Sequence, residues 1–439
     1  MSTRPEIEQL EAERRKYLER IQRLMFTDFD PQRWEELRET LYATVSLNAD
    51  VIIDDCTFRE GIQMAGLVTP HPSDTCTMAT MLRDVGVERL EVLFYTKTDQ
   101  EAVKLMRDEG LGPMLAGWCR ANTADIDLAR KLELEQVGIS HPVSYLHFVK
   151  WPHLPLNDLI DRVVKAVQYA HDHGLRVFVH GEDSTRAHWD FERLFINEVA
   201  AAGAEVYRIC DTVGCGISDP SVPPPQGIPM KVKLIKEETR IPYVEIHAHD
   251  DLGNAVENTM AFLRTAAKYY DKVYASTTFL GIGDRAGNAE TEKIIINCYM
   301  IHGIKKWNLA PFRDLALLLA SATGFSLPLN KALVGDSAFA HESGIHLQGI
   351  KQLPVTYEVV PPELVGQERI IVIGKRSGKH GIKMKLEEIL KREIPDDDPR
   401  FKQLVEIITR KFREGRRRTP LREDEFRALA HRVGFEVES

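Results

Sequence analysis

The stretch Val244-Glu245-Ile246-His247-Ala248-His249-Asp250-Asp251-Leu252-Gly253 carries the residues best suited to chemistry. It reads as a short apolar strand ending in two histidines one residue apart. Side chains alternate faces along a strand, so His247 and His249 point the same way. Two imidazoles side by side can hold a divalent metal. Alone, the pair is equally consistent with two polar residues where a strand meets solvent, because a metal site needs three or more ligands. The rest of the chain has to supply the others.

Four further segments offer such groups. Asp54-Asp55-Cys56-Thr57-Phe58-Arg59-Glu60-Gly61 closes another apolar run. Glu60 suits the third ligand position, since imidazoles plus a carboxylate with open positions fit a metal that also holds substrate. Arg59 offers a planar fork to a substrate carboxylate or a developing oxyanion. By itself, Arg59–Glu60 reads as readily as a surface ion pair. In Gly281-Ile282-Gly283-Asp284-Arg285-Ala286-Gly287-Asn288 the glycines permit a tight loop close to a ligand. Asn288 can add an oxygen ligand there, directly or through water; a helix-capping loop is the alternative, above all for Asp284. His180-Gly181-Glu182-Asp183-Ser184-Thr185-Arg186 places Glu182 where a carboxylate can move a proton, with Arg186 as a substrate-binding cation. In Cys210-Asp211-Thr212-Val213-Gly214 the Thr212 hydroxyl can donate to a bound acid.

The elements that must position these groups follow from patterning. Apolar strands open near residues 51, 90, 114, 136, 175, 205, 242 and 272, with amphipathic helical stretches between them. Eight strands alternating with helices, joined by right-handed crossovers, predict an α/β fold, a (β/α)8 TIM barrel. A doubly wound open sheet is the alternative, but no glycine-rich fingerprint follows the first strand. All the polar segments above fall at strand ends, where barrel chemistry resides. Residues 1–48 read as an N-terminal helical extension, 49–305 as the TIM-barrel catalytic domain, and 306–439 as an α-rich subdomain. The run Arg410 to Arg418 reads first as a solvated helix face and second as a phosphate-binding cluster.

Of the 439 residues, 57 are Lys or Arg and 66 are Asp or Glu, a net charge of −9, which argues against nucleic acid as the main partner. Six cysteines are scattered without a CxxC pair, most of them in apolar segments, which favours reduced thiols and a cytoplasmic location. No apolar signal region opens the chain and no run is long enough to span a membrane.

The strings DCTFREGIQ, GEDSTR, CDTVG, HAHDDLGNA, GIGDRAGN, HESGIH and GKRSGK, in that order, resemble the homocitrate synthase / 2-isopropylmalate synthase family of the DRE-TIM metallolyase superfamily. That family includes citramalate and Re-face citrate synthases and is similar in plan to 3-hydroxy-3-methylglutaryl-CoA lyase. The resemblance implies an acyltransferase of amino-acid biosynthesis that condenses acetyl-CoA with a 2-oxo acid. It implies Glu60, His247 and His249 as ligands of a divalent metal (Mg, Mn, Zn or Co), with Asn288 at the edge of that set. Arg59 resembles the arginine beside the 2-oxo acid, and Thr212 the threonine on its carboxylate. Glu182 matches a carboxylate of acid/base work. His346 and Tyr357 match a His and Tyr that complete the site, usually from the partner subunit of a homodimer.

The sequence also departs from its relatives. Homocitrate synthases carry an arginine on strand 5 for the far carboxylate of 2-oxoglutarate; Phe178 stands at that position, with Arg176 one step deeper on the same face. Asp250 replaces a frequent Asn. The stretches at 93–103 and 208–220 are closer to Re-face citrate synthases, which use oxaloacetate. The residues after Lys379 are too few for the leucine-sensing domain of isopropylmalate synthases. Two rival classes stand beside the synthase: a C–C lyase of the hydroxymethylglutaryl-CoA type, and a metal-binding barrel without catalysis.

Overall fold

Period-two runs of β-branched and other apolar residues form eight strands: β1 (Asp50–Asp55), β2 (Arg89–Val92), β3 (Leu115–Arg120), β4 (Gln136–Pro142), β5 (Arg176–Glu182), β6 (Val206–Asp211), β7 (Tyr243–Ala248) and β8 (Lys272–Thr277). In this computed structural model, which describes residues 4–26 and 28–437, they pair in parallel and in chain order, and β8 closes on β1. The barrel is therefore complete, and the open-sheet alternative is excluded because no strand is left at an edge.

Every crossover carries a helix. The helix Ile228–Glu238, between β6 and β7, is the one that patterning does not reveal. It follows Pro223-Pro224-Pro225, which reads as loop, and carries Pro229 in its first turn, where a missing N–H costs nothing. Its core face carries Lys231 beside Ile228, Val232 and Ile235. Lys231 is buried and its Nζ donates to Glu192 at 2.5 Å, while the Tyr207 hydroxyl donates to the same carboxylate at 2.9 Å. A paired lysine on the buried face interrupts the apolar stripe, which hides the helix from a periodicity argument.

Alternation along the strands stacks the barrel interior in tiers. Ala116, Phe178, Val206 and Tyr274 pack together as an apolar tier, with Ile52 and Tyr243 against them. Two residues further along β1, β5, β6, β7 and β8 stand Asp54, His180, Arg208, Glu245 and Ser276, all buried. This second tier is ionic. Arg208 reaches Glu91 at 2.7 Å and Glu245 at 3.1 Å and also pairs with Asp54. Arg89 reaches Asp54 at 2.9 Å and Glu245 at 2.6 Å. Its guanidinium lies 4.1 Å from the Phe178 ring centroid, so the apolar tier below is capped by cation–π contact. Burial pushes the Asp54 carboxyl upward, with Glu91 and Glu245 adding to the effect and Arg89 and Arg208 opposing it. Two residues further again come Cys56, Glu182, Cys210 and His247.

The chain divides into two compact units. One, residues 43–326, is the barrel together with the helix Phe312–Thr323, whose Phe312 ring meets Phe279 edge-on with centroids 5.9 Å apart. The other joins residues 1–42 to 327–439. In it, Asp30 caps the helix Pro31–Leu41 by accepting from the Gln32 and Arg33 N–H groups, and that helix buries Trp34 and Leu37. The helices Lys379–Leu390, Pro399–Arg413 and Glu423–Arg432 supply a separate core around Ile382, Leu386, Phe401, Leu404, Ile408 and Phe426. Among the described residues, no helix is long and apolar enough to cross a membrane.

Arg208→Ala removes the cation that Asp54, Glu91 and Glu245 all share and leaves Arg89 alone between Asp54 and Glu245. Unpairing buried charges of this kind costs about 3–5 kcal/mol, read as a lower denaturant midpoint. A midpoint equal to that of the unaltered chain would show that the ionic tier does not hold the barrel together.

Candidate metal centre and active site

His247 lies near the end of β7 and His249 follows the strand, one alanine further on, so both rings face the barrel mouth. Their centroids are 5.0 Å apart and the rings are nearly perpendicular, at 87°. The His247 Nδ1 lies 3.1 Å from the Ser276 hydroxyl on β8 and 3.9 Å from the Cys56 thiol after β1. Those neighbours occupy one ring nitrogen and turn Nε2 toward the mouth. Glu60, from the loop after β1, brings its Oε1 to 3.8 Å from the His249 Nε2. Donor atoms of Glu60, His247 and His249 all lie within 4.8 Å of one another, and all three residues are buried.

Asn288 completes the cluster. Its Nδ2 lies 3.3 Å from both the His247 Nε2 and the His249 Nδ1, and its Oδ1 is buried without a hydrogen-bond partner. The glycines of its loop are required by close approach. A Cβ on Gly283 would sit 2.1 Å from the Asn288 Oδ1, and one on Gly287 1.9 Å from the Gly281 carbonyl oxygen. Arg285 braces the loop, donating from Nε to Asp251 at 2.9 Å and from Nη2 to the Thr212 carbonyl at 2.5 Å. Asp250, in contrast, accepts from the Ala255 N–H at 2.8 Å at the start of the next helix.

The donors fit a divalent cation. Burial pushes His247 well below the ordinary histidine range, with His249 beside it, and burial pushes His249 down to about 4, with Arg285 and Arg59 adding to the effect. Both imidazoles are therefore neutral, the form that ligates. Two neutral imidazoles, a carboxylate and an orphaned amide oxygen form a mixed N/O set suited to a borderline or hard divalent metal. Arg59 stands at its edge. Its Nε donates to Glu91 at 2.8 Å, and its Nη1 pairs with Glu60. Through Glu91 it joins the Arg208 tier below, and although burial opposes it, Arg208 and Arg59 hold Glu91 well below the usual carboxylate range.

Glu182, at the end of β5, accepts at one oxygen from His147 Nδ1 at 2.9 Å and Lys150 Nζ at 3.1 Å. The next residue, Asp183, adopts left-handed backbone geometry (φ +64°) and is buried. Its N–H donates to the Thr212 Oγ1 at 2.9 Å, which leaves the threonine O–H free to donate elsewhere. Its carboxylate accepts from the Arg186 Nε at 2.8 Å and from Ser144. Arg186 is thus tethered beside the site rather than loose at its rim.

The barrel unit therefore brings together Arg59, Glu60, Glu182, Arg186, Thr212, His247, His249 and Asn288 at one end. His346 and Tyr357 lie in the other unit, where their rings stack with centroids 4.2 Å apart. Arg176 is exposed at the first position of β5 and pairs with Glu205 at 3.3 Å, while Phe178 is buried in the apolar tier against the Arg89 and Arg208 guanidiniums. Arg176 thus stands at the opposite end of the strand from Glu182. His147 and Lys150, the side chains that contact Glu182, are not among the residues the sequence singles out. The polar residues that follow β4 were their signal, by the same strand-end rule that marked the others.

A family model described as HMGL-like matches residues 50–318, more than half of the chain. The chain belongs to the HMGL-like family. In this HMGL-like chain, residues 333–412 match a second family, described as homocitrate synthase post-HMGL domain-like. Homocitrate synthase 1 of Nostoc sp. is 37% identical over 345 residues, 77% of this chain and 87% of that one. The 2-isopropylmalate synthase of Methanocaldococcus jannaschii is 33% identical over 375 residues, 84% of this chain and 69% of that one. The hydroxymethylglutaryl-CoA lyase of Pseudomonas aeruginosa shares the fold, with a TM-score of 0.54 at 15% identity, covering 64% of this chain and 96% of that one.

His247→Ala should abolish stoichiometric binding of divalent metal, measured by elemental analysis of the purified full chain. Ser276→Ala, which releases the His247 Nδ1 contact and a 3.4 Å contact with the Cys56 thiol, should weaken metal binding by about 10–100-fold. Full metal content in the His247 variant would contradict the donor assignment.

Proposed function

We propose that this chain is an acyltransferase that condenses acetyl-CoA with a 2-oxo acid, after which water cleaves the thioester C–S bond of the condensed product, releasing CoA and a 2-hydroxy di- or tricarboxylate. The observation that carries the reading is the cluster of Glu60, His247 and His249 beside Arg59 at the mouth of a closed parallel barrel. When bound there, with Asn288 as a fourth donor, a divalent metal supplies Lewis acidity toward the keto oxygen of the acid. Arg59 presents donors to the oxygen on which charge develops, and its contact with Glu91 fixes their direction before substrate arrives. Thr212, already accepting from the Asp183 N–H, donates its own proton to the substrate carboxylate. Glu182 takes a proton from the acetyl methyl, and His147 and Lys150, which contact one of its oxygens, hold the carboxylate in position. Arg186, held by Asp183, adds positive charge beside the carboxylate.

Membership of the HMGL-like family supports this reading, and the match of residues 333–412 to a homocitrate synthase post-HMGL domain favours a synthase over a C–C lyase. In the same reading residues 1–48 are an extension, 49–305 the catalytic domain and 306–439 the region that completes the site. His346 and Tyr357 of one copy then serve the barrel of a second copy in a homodimer, with His346 an alternative base. The six cysteines are free thiols, five of them buried, which suits a reducing cytoplasm.

Thiol release from acetyl-CoA with a divalent metal and a panel of oxaloacetate, 2-oxoglutarate, 2-oxoisovalerate, pyruvate and glyoxylate tests the reading. One acid should release CoA, and Glu182→Gln should lower kcat about 10²–10⁴-fold with little change in KM. Silence with every acid would remove the synthase reading. Shared sites have a separate test. Mixing inactive Glu182→Gln and His346→Ala chains should restore activity through mixed dimers, whereas sites built within one chain would stay inactive.

A further inference from the structure

The C-terminal unit contains a cavity of about 430 Å³ walled by cations. Gln403, Ile407, Arg410 and Lys411 line it from successive turns of the helix Pro399–Arg413, and Arg432 lines it from the end of the helix Glu423–Arg432. Two further arginines in its wall are already neutralised. Arg416 pairs with Glu414 at 2.8 Å, and Arg417 is held by Glu425 through two contacts of 2.6 and 2.7 Å. Arg410, Lys411 and Arg432 have no carboxylate partner among the described residues. Helix C-termini attract cations, but each macrodipole is worth roughly half a charge, so two helices account for about one of these three. Like charges gathered without counter-ions destabilise a fold, and the chain as a whole carries −9, so the cluster is not a consequence of overall composition.

We propose that this cavity binds a small organic polyphosphate, of the class of nucleoside diphosphates and triphosphates. Three separate unpaired cations match two or three phosphate groups better than one carboxylate, and guanidinium forks match phosphate oxygens geometrically. The exposed Gln403 amide and the half-buried Ile407 offer a hydrogen-bonding edge and an apolar face for a sugar or base. The volume is within the range of small-molecule sites. The ligand is either a free nucleotide or the 3′-phosphorylated ADP end of a CoA thioester, and the two share the chemistry recognised here.

Calorimetric titration of the full chain with ADP, pyrophosphate, CoA and dephospho-CoA tests the proposal. ADP and pyrophosphate should each saturate one site per chain, and Arg410→Gln or Arg432→Gln should weaken both by about tenfold. Arg413→Gln removes a cation from the same helix that does not line the cavity, and should change affinity less than about twofold. If the cavity variants weaken CoA much more than dephospho-CoA, the CoA end is the ligand; if they weaken ADP and leave both coenzyme forms unchanged, it is a free nucleotide. Absence of saturable ADP and pyrophosphate binding at millimolar concentration would overturn the proposal. So would an equal loss in Arg413→Gln, which would mean diffuse charge, or tighter binding of a single-stranded RNA oligomer than of ADP. The substituted side chains are surface cations, and unchanged thermal unfolding of each variant would separate lost binding from lost fold.

Discussion

The ion layer inside the barrel is the constraint on which the rest depends. Arg208 and Arg89 lie in the buried interior with Asp54, Glu91 and Glu245, drawn from β1, β2, β6 and β7. Desolvating such charges costs several kcal/mol each, so the layer persists only while every partner is in place. It therefore specifies which strands face one another and in what register. It also fixes the site above it, because Glu91 is shared: it forms an ion pair with Arg208 below and accepts a hydrogen bond from Arg59 above. The arginine at the mouth is thus positioned by the core.

Above the layer, neutral imidazoles and a carboxylate are placed by neighbours that do not themselves face the mouth. Ser276 and Cys56 orient His247, and a close-packed glycine loop presents Asn288. Across the barrel, the end of β5 places Glu182 against His147 and Lys150, and the turn after it places Asp183 against Thr212 and Arg186. One half of the mouth gathers the metal-donor cluster, and the other gathers carboxylates, cations and a hydroxyl, to which the proposed function gives the handling of protons and carboxylates. Separation of the two roles is what a condensation between an acid and a thioester requires. The second unit has its own apolar core and a basic cavity, so its chemistry is independent of the barrel's period-two pattern.

Much of this was legible in the chain. Eight apolar runs of strand length, separated by amphipathic stretches, lead to a barrel, because closure is the arrangement that leaves such parallel strands no edge. The alternation that put His247 and His249 on one face is local and survives folding intact. Glu60, Glu182, Thr212 and Asn288 are singled out by their positions at strand ends, and His147 and Lys150 stand at the equivalent position after β4. The helix Ile228–Glu238 escaped because a proline run and the buried Lys231 both mask an apolar stripe.

The sequence by itself determined the type and order of the barrel elements and the residues able to ligate, since both follow from short-range periodicity and side-chain chemistry. Tertiary structure alone decided which charges meet. Arg89 and Glu245 are 156 positions apart, and Arg208 and Asp54 are 154 apart. Within their strands these residues look like ordinary interruptions of an apolar run. Only closure of the barrel removes the water around them, and it is the loss of water that makes their pairing obligatory.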